Sequence, residues 1–191
     1  MAATTPEGVS PMLIKADQSC LMVIDVQERL VPAMQAPARV IRNTRTLMTA
    51  ASRLGIPMLM TEQYPKGLGH IVPELKNLVK NGKVLEKMQF SCMNEPSFAA
   101  EFKALDRRQT VIVGMEAHIC VMQTGVNLME EGLEIFVVTD ATSSRTLDSE
   151  KACLDRLSAA GAGIVTTEMV VFEWLGRAGT PECKELLEKI K

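Results

Sequence analysis

The stretch that decides the fold is Thr110-Val-Ile-Val-Gly-Met-Glu-Ala-His-Ile-Cys120-Val-Met-Gln-Thr-Gly125. A short apolar run, rich in β-branched residues, ends at Gly114, and Cys120 lies where a helix is predicted to begin. Backbone N–H groups are unpaired at a helix start and the helix dipole is positive there, so we expect the thiolate form to be favoured. Cys120 is therefore a candidate nucleophile, although a cysteine on an apolar helix is more often a core residue.

Outward from this stretch, strands alternate with helices along the chain. Apolar runs predict six strands, over 20–25, 56–61, 83–87, 109–114, 133–139 and 163–166. Amphipathic segments predict helices over 39–54, 73–79, 96–105, 118–131 and 148–160, followed by two short C-terminal helices. This alternation indicates a parallel sheet with helices on both faces, a three-layer α/β/α fold. We expect one domain over 12–191 after a flexible tail at 1–11.

Composition excludes several classes of partner. The chain has 191 residues, of which 47% are hydrophobic and 23% charged, as in an ordinary globular domain rather than a disordered one. The net charge is −2 and the basic residues form no run, so neither nucleic acid nor an anionic membrane surface is expected as a partner. No apolar segment approaches the roughly 20 residues that span a bilayer.

The cysteines and histidines argue against disulfides and metals. The five cysteines are an odd number, widely spaced and without a C-x-x-C pair, which suits a reducing compartment. With only two histidines, a histidine-rich metal centre is not expected. Residues 1–10 lack the basic start and apolar core of a secretory signal, so we predict a cytoplasmic location.

Chemistry-bearing residues follow the predicted strands. In parallel α/β sheets, ligands bind beyond the carboxyl ends of the strands. The residues at or just beyond these ends are Asp25, Lys87, Cys120 and Asp140. Asp25 has the chemistry of a general base, and Lys87 the charge to hold a thiolate and a carboxylate together. Taken alone, the acid is as easily a cap or loop anchor, and the lysine a solvated charge.

Three segments together resemble the signature blocks of the isochorismatase-like cysteine hydrolases, a superfamily that includes nicotinamidases and N-carbamoylsarcosine amidohydrolases. They are Val23-Ile-Asp25-Val-Gln27, Leu85-Glu-Lys87-Met-Gln-Phe90-Ser91 and Gly114-Met-Glu-Ala-His-Ile-Cys120-Val. The resemblance extends from about Cys20 to Thr167. It implies a Rossmann-like six-stranded parallel sheet in the order 3-2-1-4-5-6. It also implies that Asp25, Lys87 and Cys120 form a catalytic triad.

The same resemblance implies a specialised turn before the cysteine. By position, the non-proline cis peptide of the family would join Met115 to Glu116. The backbone N–H groups of Glu116 and Cys120 would then form an oxyanion hole. A Glu116 carboxylate beside the thiol would raise the pKa of the thiol, so we expect this side chain to point away, toward a neighbouring loop or subunit.

The loop Thr61-Glu-Gln-Tyr-Pro-Lys-Gly-Leu-Gly69 resembles that of the isochorismatase domain-containing proteins. Nicotinamidases place an aspartate and two histidines here to hold a metal ion, whereas this chain has Glu62, Gln63 and His70. We therefore expect no metal, no cofactor and not nicotinamide. True isochorismatases cleave a vinyl ether without needing the cysteine, so the presence of Cys120 favours a thioester route on a small amide-like substrate.

Other side chains are predicted to surround the site. The substrate-binding candidates are Gln27, Gln63, Tyr64, Phe90 and His118. Gln27 is suited to bind substrate or to be solvated at the surface, and Phe90 to be an apolar wall or a packing anchor. His118 is too near Cys120 in sequence to form a catalytic dyad with it, so pocket lining is its expected role. Cys92 is expected to be exposed and oxidisable.

Three functions remain open at this stage. The first is a cysteine hydrolase acting on non-peptide C–N bonds of a small molecule. The second is a catalytically silent member that uses the same pocket as a small-molecule or protein-binding module. The third is a thiol redox sensor, disfavoured because the sequence positions no resolving cysteine. The resemblance further implies a homo-oligomer.

Overall fold

The computed structural model describes residues 13–79 and 82–190. The tail predicted at 1–11 lies outside the described residues. Six parallel strands form one sheet in the order β3-β2-β1-β4-β5-β6, which confirms the predicted fold and strand order. The strands are β1 Ser19–Ile24, β2 Met58–Gln63, β3 Gly82–Lys87, β4 Gln109–Met115, β5 Glu134–Ser143 and β6 Gly163–Val165. Every residue of β1 and β4 is buried, because these central strands are covered on both faces.

Helices cover both faces of the sheet. They are α1 Pro37–Leu54, α2 Pro65–Leu68, α3 Pro73–Lys76, α4 Pro96–Ala104, α5 Met122–Glu130, α6 Leu147–Ala159, α7 Thr167–Leu175 and α8 Pro181–Ile190. Proline opens several of them, where its missing N–H costs no hydrogen bond. The predicted helix before Gly55 is confirmed as α1, and Gly55 ends it with a φ of 69°.

The two faces of the sheet carry separate apolar layers, because successive side chains of a strand point to opposite faces. Leu21 and Val23 of β1 pack with α1, α7 and α8. Cys20, Met22 and Ile24, from the same strand, pack with α4, α5 and α6. Among the described residues, no helix has the length and apolarity needed to cross a membrane.

Strand β5 is longer than predicted, and this corrects the placement of Asp140. Ile112 of β4 pairs with Val137, but Gly114 pairs with Thr142, so the register shifts within β5. Asp140 lies in this irregular part of the strand rather than at its end. Its carboxylate accepts hydrogen bonds from the backbone N–H and hydroxyl of Thr167, at 2.8 and 2.9 Å, and so anchors the start of α7.

The helix predicted over 118–131 does not begin as a regular α-helix. A π-helical turn, Ala117–Val121, precedes α5 and contains Cys120. Just before it, β4 approaches β1 so closely that a Cβ at position 114 would collide with the carbonyl oxygen of Ile24. Gly114 also has a φ of 117°, which side chains disfavour. Glycine is therefore required where the strand turns toward the cysteine.

Candidate active site

An ion pair joins the ends of β1 and β3. Lys87 Nζ lies 2.7 Å from Asp25 Oδ2, and both side chains are fully buried. The ammonium also donates hydrogen bonds to Gln63 Oε1 at 2.6 Å and to the carbonyl oxygens of Gln89 and Phe90 at 3.3 Å each. Burial is the largest single cause and lowers the pKa of Lys87, but the interactions with Asp25, Cys92 and Cys120 together outweigh it and the pKa is raised overall. Lys87 is therefore a charged lysine held in place.

Asp25 follows β1 in a left-handed conformation, with a φ of 51°. Aspartate tolerates this region better than most residues. The Thr61 hydroxyl donates to Asp25 Oδ1 at 2.7 Å. The Asp25 N–H lies 3.3 Å from both the hydroxyl and the carbonyl oxygen of Thr61. Backbone and side chain of Asp25 are thus both fixed to β2.

Cys120 is a third neighbour of the Asp25 carboxylate, beside Lys87 and Thr61. Cys120 is 6% exposed, and its thiol interacts with the Asp25 carboxylate. Burial is the main cause that raises the pKa of Cys120, the charge of Asp25 raises it further, and Lys87 opposes the shift. The expectation that a helix start favours the thiolate is therefore wrong, because burial and the adjacent carboxylate outweigh the helix dipole. At rest, Cys120 is a protonated thiol whose proton faces a carboxylate.

The turn before Cys120 has the features that an oxyanion site would need. The Met115–Glu116 peptide bond is cis. The Glu116 carbonyl oxygen accepts from the N–H groups of Ile119 and Val121. The Glu116 carboxylate lies 2.7 Å from Nε of Arg145, which follows β5, so the side chain points away from the thiol.

Gln27 and Gln63 hold the loop after β2 instead of facing a ligand. Gln27 is fully buried, and its Nε2 donates to the carbonyl oxygens of Gln63 and Gly69 at 3.0 and 2.7 Å. Its Oε1 accepts from the Gln63 N–H at 2.8 Å. Gln63 uses its own amide for Lys87 and for the Met88 carbonyl oxygen. This corrects both the substrate-binding and the surface-solvated interpretations of Gln27, and the substrate-binding one of Gln63.

Tyr64 and Phe90 are exposed beside the ion pair. Tyr64 is 47% exposed, with its ring against Gly67, and its N–H donates to the Lys87 carbonyl oxygen. Phe90 is 55% exposed, and its carbonyl oxygen accepts from Lys87. Met88 between them is also exposed. These three apolar side chains are available to a ligand.

His118 is directed elsewhere. Its Nδ1 lies 2.9 Å from the hydroxyl of Ser144. It lines a cavity of about 210 Å³ together with Ser149, Ala152 and Arg156 of the α6 region. The prediction that His118 binds substrate is therefore wrong, because adjacent residues of a helical turn face different neighbours.

Glu62 and His70 are partners of each other. His70 Nδ1 lies 2.9 Å from Glu62 Oε2, and Glu62 Oε1 accepts from the Ile71 N–H at 2.8 Å. Within 13–79 and 82–190, no three His, Cys, Asp or Glu side chains are grouped to hold a metal ion.

A cavity of about 600 Å³ opens elsewhere, along the edge of the sheet at β6. Its two carboxylates are engaged structurally, since Glu134 accepts from Gln109 and Glu173 from the Ile14 N–H. This cavity lies at the start of β5, whereas the chemistry lies beyond the strand ends. We therefore place the candidate site at Asp25, Lys87 and Cys120.

Thr61 and Thr124 are buried near the triad but were not predicted to act there, and Cys92 was placed wrongly. Cys92 is fully buried, which contradicts the expectation of an exposed, oxidisable thiol. Its thiol is a neighbour of the hydroxyls of Thr61 and Thr124, and burial raises its pKa to about 12. Thr61 ends a predicted strand, so the strand-end rule would have found it, whereas nothing in the sequence placed Cys92 or Thr124 at the site.

Comparisons with known proteins identify the family of the chain. The family model described as the isochorismatase domain matches residues 19–169. Isochorismatase domain-containing protein 2 of Danio rerio is 37% identical over 169 residues, covering 88% of this chain and 84% of that protein. Isochorismatase domain-containing protein 1 of Salmo salar is 35% identical over 167 residues, which is 87% of this chain but only 59% of the relative's length.

Two solved structures share the fold. The MAR1 ribonuclease of Caenorhabditis elegans is 37% identical, with a TM-score of 0.88 over 94% of this chain and 92% of that one. The YcaC gene product of Escherichia coli, described as an octameric hydrolase of unknown specificity, is 23% identical, with a TM-score of 0.88 over 97% of this chain and 92% of that one. The chain therefore belongs to the isochorismatase domain family.

Proposed function

We propose that this hydrolase cleaves a non-peptide C–N bond of a small amide-like molecule through a thioester on Cys120. The observation that carries the proposal is one carboxylate, Asp25, that both pairs with Lys87 at 2.7 Å and interacts directly with the Cys120 thiol. A nucleophile, its base and a cation that stabilises the charged base are thus in contact.

In the first step Asp25 takes the thiol proton while the sulfur attacks the substrate carbonyl carbon. A C–S bond forms, and the carbonyl electron pair moves onto oxygen. The N–H groups of Glu116 and Cys120 are the donors we assign to this oxyanion. Lys87 keeps the site's charge balanced because its ammonium stays beside Asp25 throughout.

In the second step the oxyanion collapses and the C–N bond breaks. The protonated Asp25 gives its proton to the leaving nitrogen, which departs as ammonia or an amine. In the third step Asp25 takes a proton from water, the hydroxide attacks the thioester, and the C–S bond breaks. Asp25 returns the proton to the sulfur, so the free thiol is restored.

The surroundings of the triad favour a neutral substrate with an apolar part. The nearby charged groups are paired with one another, as Asp25 with Lys87 and Glu116 with Arg145. Tyr64, Met88 and Phe90 offer exposed apolar surface instead. An apolar contact with a few polar groups that fix orientation is the usual character of a small-molecule site.

Ribonuclease activity is a second candidate because the Caenorhabditis elegans relative, 37% identical, is named a ribonuclease. Against it stand the net charge of −2 and the neutralisation of Lys87 by Asp25, which leave no free cation for a phosphodiester in the triad. We expect no cleavage of RNA. Purified protein incubated with structured and unstructured RNA tests this, and cleavage lost in Cys120→Ala would favour the second candidate.

Assembly, location and domain organisation stay predictions. The Escherichia coli neighbour is described as octameric, which supports the proposal of a homo-oligomer. All five cysteines are free and buried, as suits a reducing compartment such as the cytoplasm. A single domain over 12–191 is likewise proposed.

A hydrolysis screen tests the main proposal. Small carboxamides, ureas and carbamoyl compounds are incubated with the protein, and released ammonia or amine is measured. We expect turnover that Cys120→Ala abolishes and that Cys183→Ala, a buried cysteine in α8, leaves unchanged. The binding module would instead be supported if no compound is turned over but a compound of the screen binds the wild-type protein and Cys120→Ala equally.

A further inference from the structure

A buried chain of hydroxyl and thiol groups reaches the catalytic carboxylate from the side opposite Lys87. Thr61 donates to Asp25 Oδ1 at 2.7 Å. The Cys92 thiol is a neighbour of the hydroxyls of Thr61 and Thr124. The Cys92 N–H donates to Thr124 Oγ1 at 3.0 Å. Thr61, Cys92 and Thr124 are each fully buried, so water does not compete for these groups.

Thr61 binds Asp25 at two places. A hydroxyl has one proton to donate, and Thr61 gives its proton to the Asp25 carboxylate. The Thr61 Oγ1 also accepts a hydrogen bond from the backbone N–H of Asp25, at 3.3 Å. Thr61 therefore fixes both the backbone and the side chain of Asp25.

We propose that Thr61 is a positioning residue for the general base Asp25, and that Cys92 and Thr124 keep the Thr61 hydroxyl aimed at it. The inference rests on the proposed function, in which Asp25 acts as the base. Thr61 occupies Oδ1 while Lys87 binds Oδ2, so the carboxylate cannot rotate away from the thiol. Because Thr124 lies one helical turn beyond Cys120, the chain also ties the helix that carries the nucleophile to the strand beside the base.

The position of the carboxylate also affects the thiol. The charge of Asp25 is one of the causes that raise the pKa of Cys120. A carboxylate that turns away from the thiol raises this pKa less, so Cys120 ionises at lower pH.

The test uses the rate at which iodoacetamide alkylates Cys120 in the full chain, followed by peptide mass spectrometry across the pH range. Thr61→Val removes the hydroxyl and nearly keeps the shape, whereas Thr61→Ser keeps the hydroxyl. We therefore expect Thr61→Val to speed alkylation at neutral pH roughly tenfold and to move its onset down by about one pH unit. Thr61→Ser should retain the wild-type rate and onset.

The supporting role of Cys92 is tested separately. Cys92→Ala should give a smaller increase in rate, roughly threefold, because it removes the thiol beside the Thr61 hydroxyl but leaves that hydroxyl in place. Cys92→Ser, which still donates and accepts, should keep the wild-type rate. The matched control is Thr110→Val, since Thr110 accepts from Cys20 in another buried Thr–Cys pair at the far end of β1 and β4.

The outcomes separate this inference from the proposed function. A wild-type rate and pH profile in a folded Thr61→Val, with a changed profile in Asp25→Asn, would overturn the positioning role and leave the base assignment intact. An equal change of rate in Thr61→Val and Thr61→Ser, or in Thr110→Val, would show a packing effect and would also overturn it. A Cys120 in the wild-type protein that reacts like a free thiol and ignores Asp25→Asn would instead remove the proposed function. Circular dichroism and thermal unfolding verify that each variant is folded.

Discussion

At the scale of single residues, the site depends on a thiol that is kept protonated. Burial and Asp25 raise the pKa of Cys120, while Lys87 lowers it. A resting thiol is protected from oxidation and from chance electrophiles, because the thiolate is the reactive form. The proton leaves only when a substrate is in place to take the attacking sulfur.

The Asp25→Asn variant separates thiol ionisation from turnover. Removing the negative charge lowers the pKa of Cys120, because one cause of its rise is gone and the Lys87 cation is then unopposed. We expect alkylation of Cys120 to begin at lower pH in the variant than in the wild-type protein. Hydrolysis of any substrate found in the screen should be lost, because asparagine cannot carry the proton. Faster alkylation combined with retained hydrolysis would contradict the role of Asp25 as base.

The strand-end rule predicted Asp25, Lys87 and Cys120 because backbone topology alone brings such residues together. It misjudged Asp140, since a register shift inside β5 is not visible in the apolar pattern of that strand. Gln27 and Cys92 were placed wrongly for a different reason. Their burial depends on loops after β2 and β3, whose packing the local sequence does not encode.

At the scale of elements, β1 and β4 set the distance between base and nucleophile. Their registers run without interruption from Ser19–Gln109 to Ile24–Gly114. The residues just beyond this ladder are Asp25 and the turn to Cys120. Strand order and helix positions were predictable from periodicity and known family topology, whereas the π-helical turn was not, since one extra residue in a helical turn leaves the apolar pattern almost unchanged.

Gly114→Ala tests this close approach. The new Cβ would collide with the Ile24 carbonyl oxygen, and alanine disfavours the φ of 117° at this position. We expect loss of several kcal/mol of stability, about 3 or more, or no folded protein. In the control Gly125→Ala, within α5, the nearest atom to the new Cβ is Cδ2 of Leu157 at 3.3 Å, so the change in the free energy of unfolding should stay within about 1 kcal/mol. Equal midpoints of urea unfolding for the two variants would refute the argument.

At the scale of the whole molecule, buried thiols make stability depend on alkaline pH. Burial raises the pKa of Cys20 to about 11 and those of Cys92 and Cys153 to about 12, from an ordinary value of 9.0. Above pH 9.0 these thiols ionise in the unfolded chain but stay protonated in the folded one, so the folded state binds more protons.

We therefore expect the free energy of unfolding to fall as pH rises above 9.0. Each such thiol contributes a slope of roughly 1.4 kcal/mol per pH unit. Urea unfolding at a series of pH values measures the slope, and Cys153→Ala should reduce it by one thiol's share. If the free energy of unfolding stays constant until the pH reaches the raised pKa values of the folded protein, burial does not protect these protons.

The internal pairing of the site's charges has a consequence for how substrate arrives. With Asp25 matched by Lys87 and Glu116 by Arg145, the mouth of the site projects little electric field into solvent. The rate of substrate capture should then depend on diffusion and apolar contact rather than on electrostatic steering. We expect kcat/KM for a neutral amide to be the same in dilute buffer and at an ionic strength where the Debye length is only about 3 Å. An enzyme of this kind would work alike in compartments of very different salt content.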